Sequence, residues 1–165
     1  MIKNYWYAVE FGHVIGTSPH HVEVMGQQLV LWRTASGTLQ AQSDVCIHRG
    51  GSLAGGKVVK DCVQCPYHGW SFDSSGACTD IPANREGLPI PKKARIDTYP
   101  CEERYGYAFV FMGDLPEEER PPLAFIDVLD QTPTAQAEGF RAITGEFAWQ
   151  ANFERVLENG VDIAH

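Results

Sequence analysis

Two compact Cys/His pairs, Cys46 with His48 and Cys65 with His68, constrain this chain more than any other feature. They stand as Cys-x-His, sixteen residues, then Cys-x-x-His, within CIHRGGSLAGGKVVKDCVQCPYHGW. Each half supplies one thiolate and one imidazole. Four such soft or borderline donors on two loops suit either a tetrahedral zinc ion or an iron–sulfur cluster. Cys62 keeps a second arrangement open, because Cys62-x-x-Cys65 is itself a zinc-knuckle spacing. Cys46, His48, Cys62 and Cys65 would then share one ion and leave His68 idle.

The surrounding sequence predicts a scaffold of short strands. Ten prolines and sixteen glycines in 165 residues favour many turns over a helix bundle, and 44 % apolar composition is enough for one core and part of a second. Residues 28–45 read as a hairpin, with an apolar strand through Leu29, Val30, Leu31 and Trp32 and a turn at Ser36 and Gly37 that delivers the chain to Cys46. Lys57 to Val59 is a short strand, and Trp70 and Phe72 alternating with Ser71 and Asp73, before the turn DSSG, predict a further hairpin. The proline-bearing segment 81–94 reads as a covering loop, and YGYAFVFMG, 105–113, as a buried strand. Cys62, Cys78 and Cys101 read as small buried apolar groups.

Charge and cysteine usage narrow the setting. A net charge of −8 opposes nucleic acid or an anionic membrane surface as partner, and points to neutral or basic ones. No run of eighteen apolar residues predicts a membrane span, and the N-terminus lacks a secretory h-region. An odd number of cysteines suits a reducing, cytoplasmic setting in which thiols serve metal or redox chemistry.

A zinc knuckle followed by a His-x(3–5)-His pair is missing, whereas one mixed Cys/His pair on each of two similar loops fits a cluster with two thiolates on one iron and two imidazoles on the other. CIHRG and CPYHGW closely resemble the two cluster loops of Rieske proteins. By that resemblance Cys46 and Cys65 bind the inner iron of a 2Fe-2S cluster, and His48 and His68 the outer one. Arg49 and Trp70 match positions beside the ligands. The implied fold is mainly β, with Rieske-type antiparallel sheets and two cluster-binding hairpin loops at one tip. Gly51 and Tyr67 stand where respiratory bc-type relatives have an extra disulfide, and Trp70 and Phe72 where those relatives have hydroxyl donors. Their loss implies a potential toward the bottom of the Rieske range, roughly −150 mV.

The C-terminal third changes character. DLPEEERPPL and DQTPT are acidic and proline-rich, which divides the chain into residues 1–115, a linker over 116–139, and a segment 140–165 with a strand through about 148 and then a helix. In that helix Phe153, Val156, Leu157, Val161 and Ala164 recur at spacings of three and four, and Glu158, Asp162 and His165 share a face. ENGVDIAH is similar to the ENxxDxxH segment of Rieske non-haem iron oxygenases of the phthalate-dioxygenase and vanillate-demethylase type. The resemblance implies the first strand and helix of an α+β catalytic domain, cut short at residue 165. It makes His165 a ligand of a mononuclear Fe(II) and Asp162 a catalytic bridging carboxylate between metal centres of adjacent subunits. It further implies a homotrimer, a reductase or ferredoxin donor and a small aromatic or related substrate. A free-standing Rieske ferredoxin is the competing expectation.

Overall fold

The strand Gln27–Arg33 is central to the architecture. This computed structural model describes residues 2–85, 87–126 and 145–162. In it β3 (Gln27–Arg33) carries four consecutive fully buried residues, Leu29 to Trp32. Successive side chains of a strand point to opposite faces. Leu29 and Leu31 therefore enter one core, with Val22, Val24, Ala108 and Val110, while Val30 and Trp32 enter another, with Cys46, Leu53, Val63, Cys65 and Phe72. An uninterrupted apolar run is what a strand with both faces covered requires.

Three antiparallel sheets supply those faces. β2 (His20–Val24), β3, β4 (Leu39–Ser43) and β9 (Thr98–Tyr99) form the central one. β1 (Tyr5–Phe11), β11 (Tyr107–Met112) and β10 (Cys101–Arg104) form the second. The third holds β5 (Lys57–Val59), β6 (Cys62–Gln64), β7 (Ser71–Phe72) and β8 (Cys78–Asp80). Arg33 joins the central sheet to the second by a two-pronged pair with Glu103, at 2.6 and 2.7 Å.

The predicted hairpins at 28–45 and 71–80 and the strand at 57–59 are present. The strand expected from residue 105 begins at Tyr107 instead, because Tyr105 and Gly106 are a turn with φ of 55° and 81°. Met25–Gly26 and Lys60–Asp61 repeat that pair of positive φ angles, the mark of a two-residue turn whose twist matches the strands it joins. The segment 81–94 is a cover in fact: Ile81 and Ile90 pack against the core that contains Cys46 and Cys65.

The proline-rich stretch after β11 lies against the second sheet. The Trp6 indole N–H donates to the Pro121 carbonyl at 2.8 Å, the Ile126 amide to the Tyr105 hydroxyl at 2.8 Å, and Leu123 is buried. Charge is divided along the chain: residues 1–113 hold ten Lys/Arg and ten Asp/Glu, and residues 114–165 three and eleven. The partner argument drawn from net charge thus concerns the last third and not the body that carries the Cys/His pairs.

The chain divides into two units, Met1–Asp130 and Gln131–His165. In the second, the strand expected through residue 148 is not formed over residues 145–150. The helix α1 (Phe153–Val161) starts at Asn152, whose side chain accepts from the Glu154 amide. It ends one residue before Asp162, whose backbone is extended at φ −78° and ψ 103°. Glu158 and Asp162 therefore do not share a continuous helical face, and Glu158 is paired with Arg155. Ala164 and His165 lie outside the described residues.

Candidate metal centre

The two Cys/His loops are built to one plan. In the first, the residue before the cysteine pairs with the residue six beyond it, Val45 with Ser52; in the second, Gln64 pairs with Ser71 in the same relation. Inside each closure the cysteine amide donates five residues ahead, Cys46 to Gly51 at 2.9 Å and Cys65 to Trp70 at 2.8 Å. The glycine four residues after each cysteine donates back to its carbonyl, Gly50 to Cys46 at 2.8 Å and Gly69 to Cys65 at 3.0 Å. Both glycines have φ in the left-handed region, 71° and 75°, where a Cβ is strained. The signal was present as Cys-x-x-x-Gly in both CIHRG and CPYHG, but a search for ligand types alone passes over Gly69.

This plan sorts the donors by depth. Cys46 and Cys65 are buried, at 2 % and 4 % exposure, while His48 is half-buried and His68 exposed. The imidazoles lie side by side, ring centroids 4.6 Å apart. Trp70 stacks on His48, and the Tyr67 ring sits 3.8 Å from that of His68. Gly51 leaves room for the second loop's sulfur, since a Cβ there would stand 3.2 Å from the Cys65 Sγ.

Electrostatics follow from depth. Burial pushes the Cys46 thiol up to about 11, and the neighbouring Cys65 thiol adds to the rise, while backbone bonding from His48 and Arg49 opposes it. Loss of hydration lowers the His48 imidazole, helped by His68 and Arg49 nearby, which favours the neutral ring that a metal needs. Binding a metal at Cys46 therefore displaces a proton from sulfur.

The surroundings of Cys62 bear on its place beside the two loops. Cys62 is half-buried, not buried as expected, and its Sγ lies 3.5 Å from the Lys60 carbonyl and 3.4 Å from the Thr79 hydroxyl. Cys101 is also half-buried, and Cys78 is buried as expected. Among the described residues, no three His, Cys, Asp or Glu side chains gather around one ion position. Two sulfurs beneath two surface nitrogens instead suit a binuclear group in which each iron takes two protein ligands. The donor set fits a [2Fe-2S] cluster better than a single zinc.

The Rieske [2Fe-2S] domain profile matches residues 5–100. The chain is 32 % identical to phenoxybenzoate dioxygenase subunit alpha of Ectopseudomonas oleovorans, over 95 % of this chain and 41 % of that protein. It is 34 % identical to the aminopyrrolnitrin oxygenase PrnD of Pseudomonas fluorescens, over 97 % of this chain and 44 % of that one. The crystal structure of apo dicamba monooxygenase superimposes with a TM-score of 0.67 at 28 % identity, over 74 % of this chain and 38 % of that chain. The chain thus spans less than half the length of these relatives.

Proposed function

The chain belongs to the Rieske [2Fe-2S] domain family, and from that premise we propose that it is the electron-relay portion of an oxygenase alpha subunit. Cys46 and Cys65 hold the inner iron and His48 and His68 the outer one. The carrying observation is the pair of matched loops, with thiols buried and imidazoles adjacent at the surface. When bound, the cluster supplies one-electron redox chemistry. The protein's own contribution is positional: the loop closures fix both cysteines out of water, and the imidazoles form the face at which an electron enters or leaves over the shortest path.

In the whole protein this domain relays electrons from a reductase or ferredoxin to a mononuclear non-haem Fe(II) that activates O2. The outcome is hydroxylation or demethylation of an aromatic or related substrate. Likeness to oxygenases over 95 % and 97 % of the chain, well beyond residue 115, supports this role over that of a free-standing Rieske ferredoxin. Residues 1–115 form the Rieske domain, 116–139 the linker and 140–165 the start of the catalytic domain. Asp162 and His165 belong to the iron site there, and a homotrimer brings the Asp162 carboxylate to a neighbouring subunit's cluster.

Anaerobic reconstitution with iron and sulfide tests the ligand assignment. A coloured product with a reduced-state EPR signal is expected, and a colourless product without bound sulfide rejects it. In the full-length protein, Asp162→Asn is expected to keep both metals and slow turnover sharply. Unimpaired turnover would remove the bridging role.

A further inference from the structure

Immediately before the first loop, β4 passes into Asp44, a residue that the ligand pattern does not mark. Its side chain is 2 % exposed and takes three donors. Oδ2 accepts from the Ser52 hydroxyl at 2.7 Å and from His21 Nδ1 at 3.0 Å, and Oδ1 accepts from the Ala54 amide at 2.6 Å. The backbone of the same residue donates to the Gln28 carbonyl at 2.9 Å and accepts from the Leu53 amide at 2.8 Å. The chain therefore leaves Asp44, passes through Cys46 and His48, and returns to Asp44 at Ser52, Leu53 and Ala54. Its remaining side-chain partner, His21, is 47 % exposed, so solvent screens that ring while the carboxylate stays in a dry, low-dielectric setting.

We propose that Asp44 is a positioning residue of the metal centre, a buried carboxylate that clasps both ends of the first cluster loop and by its charge holds the cluster's reduction potential down. The inference rests on the reading of Cys46 and His48 as ligands. An acceptor on both oxygens is required, since Ser52 and Ala54 lie on opposite ones; an amide offers only one oxygen and would leave a buried donor facing its NH2 group. A fixed negative charge two residues from a ligand opposes the arrival of an electron. Removing that charge raises the potential.

The test compares the reconstituted full chain with its Asp44→Asn and Ser52→Ala variants. Two quantities are read: the rate at which a chelator bleaches the visible absorbance, and the midpoint potential from an EPR-monitored redox titration. Both variants are expected to bleach several-fold faster. Only Asp44→Asn should move the midpoint upward, because Ser52→Ala loosens the loop and leaves the charge in place. Unaltered bleaching in both variants overturns the clasp, and an unmoved or lowered midpoint in Asp44→Asn overturns the charge effect. An Asp44→Asn chain that is folded by circular dichroism yet takes up no cluster supports the clasp; if it does not fold, the bleaching rate of Ser52→Ala decides. Failure of the ligand assignment is a separate result, because the unsubstituted chain would then be colourless.

Discussion

Trp70 lies flat on His48, ring centroids 4.6 Å apart and planes 6° from parallel. The two residues come from different loops, so this stack holds the first loop's imidazole with the second loop's indole. Aromatic pairs of this kind contribute about 0.5–1.5 kcal/mol beyond their buried area. Trp70→Ala is therefore expected to speed chelator-driven cluster loss by up to about tenfold, and Trp70→Phe by less. Equal rates in all three proteins would show that the stack carries no load.

Under the proposed ligand assignment, His68→Cys would replace a neutral donor to the outer iron with an anionic one. If the cluster is retained, its midpoint should fall from the Rieske range toward that of all-thiolate ferredoxins, roughly −400 mV. The check is a redox titration followed by EPR. An unchanged midpoint would take His68 out of the ligand set.

Gly50 and Gly69 share a backbone conformation but not a neighbourhood. A Cβ at Gly50 meets nothing within 4 Å, so Gly50→Ala costs only the left-handed strain, about 1–2 kcal/mol. A Cβ at Gly69 would stand 2.9 Å from the Pro82 ring, so Gly69→Ala adds a steric cost and displaces the covering segment. Urea unfolding of the metal-free chain should rank Gly69→Ala as the less stable of the two. The reverse order would contradict the packing of Pro82 on the second loop.

Cys62→Ser should leave the visible spectrum of the reconstituted chain intact. Its Sγ faces the Thr79 hydroxyl and the Lys60 carbonyl, and a serine hydroxyl can hydrogen-bond to both in place of the thiol. Loss of colour on this substitution would mean that the wrong cysteine had been assigned.

Burial pushes the Cys101 thiol up to about 11, from an ordinary 9.0. The folded chain keeps this proton longer than the unfolded chain does, so the stability it confers is full below about pH 9 and is lost as pH rises through about 11. The loss amounts to at most about 3 kcal/mol. Thermal unfolding of the metal-free chain between pH 8 and 11 should therefore fall more steeply than that of Cys101→Ala. The variant keeps a residual slope, because the Cys46 thiol is also raised to about 11. Parallel curves would argue against the partial burial of the Cys101 thiol.

The amino-acid sequence by itself pointed to the candidate donors and to about half of the strands. Thiols and imidazoles at fixed short spacing carry their chemistry wherever the chain goes, and an apolar run such as Leu29 to Trp32, closed by a turn at Ser36 and Gly37, reads as a strand. Local turn chemistry at Gly50 and Gly69 was also written there, in the repeated Cys-x-x-x-Gly. Tertiary structure alone decided which atoms meet across the fold. It put Trp70 of one loop on His48 of the other, turned Cys62 toward Thr79, and brought the ends of the first loop back to Asp44. The reason is physical: spacing fixes which side chains are neighbours along a strand or a turn, whereas depth and cross-loop distance depend on how three sheets pack, and pattern alone does not contain that.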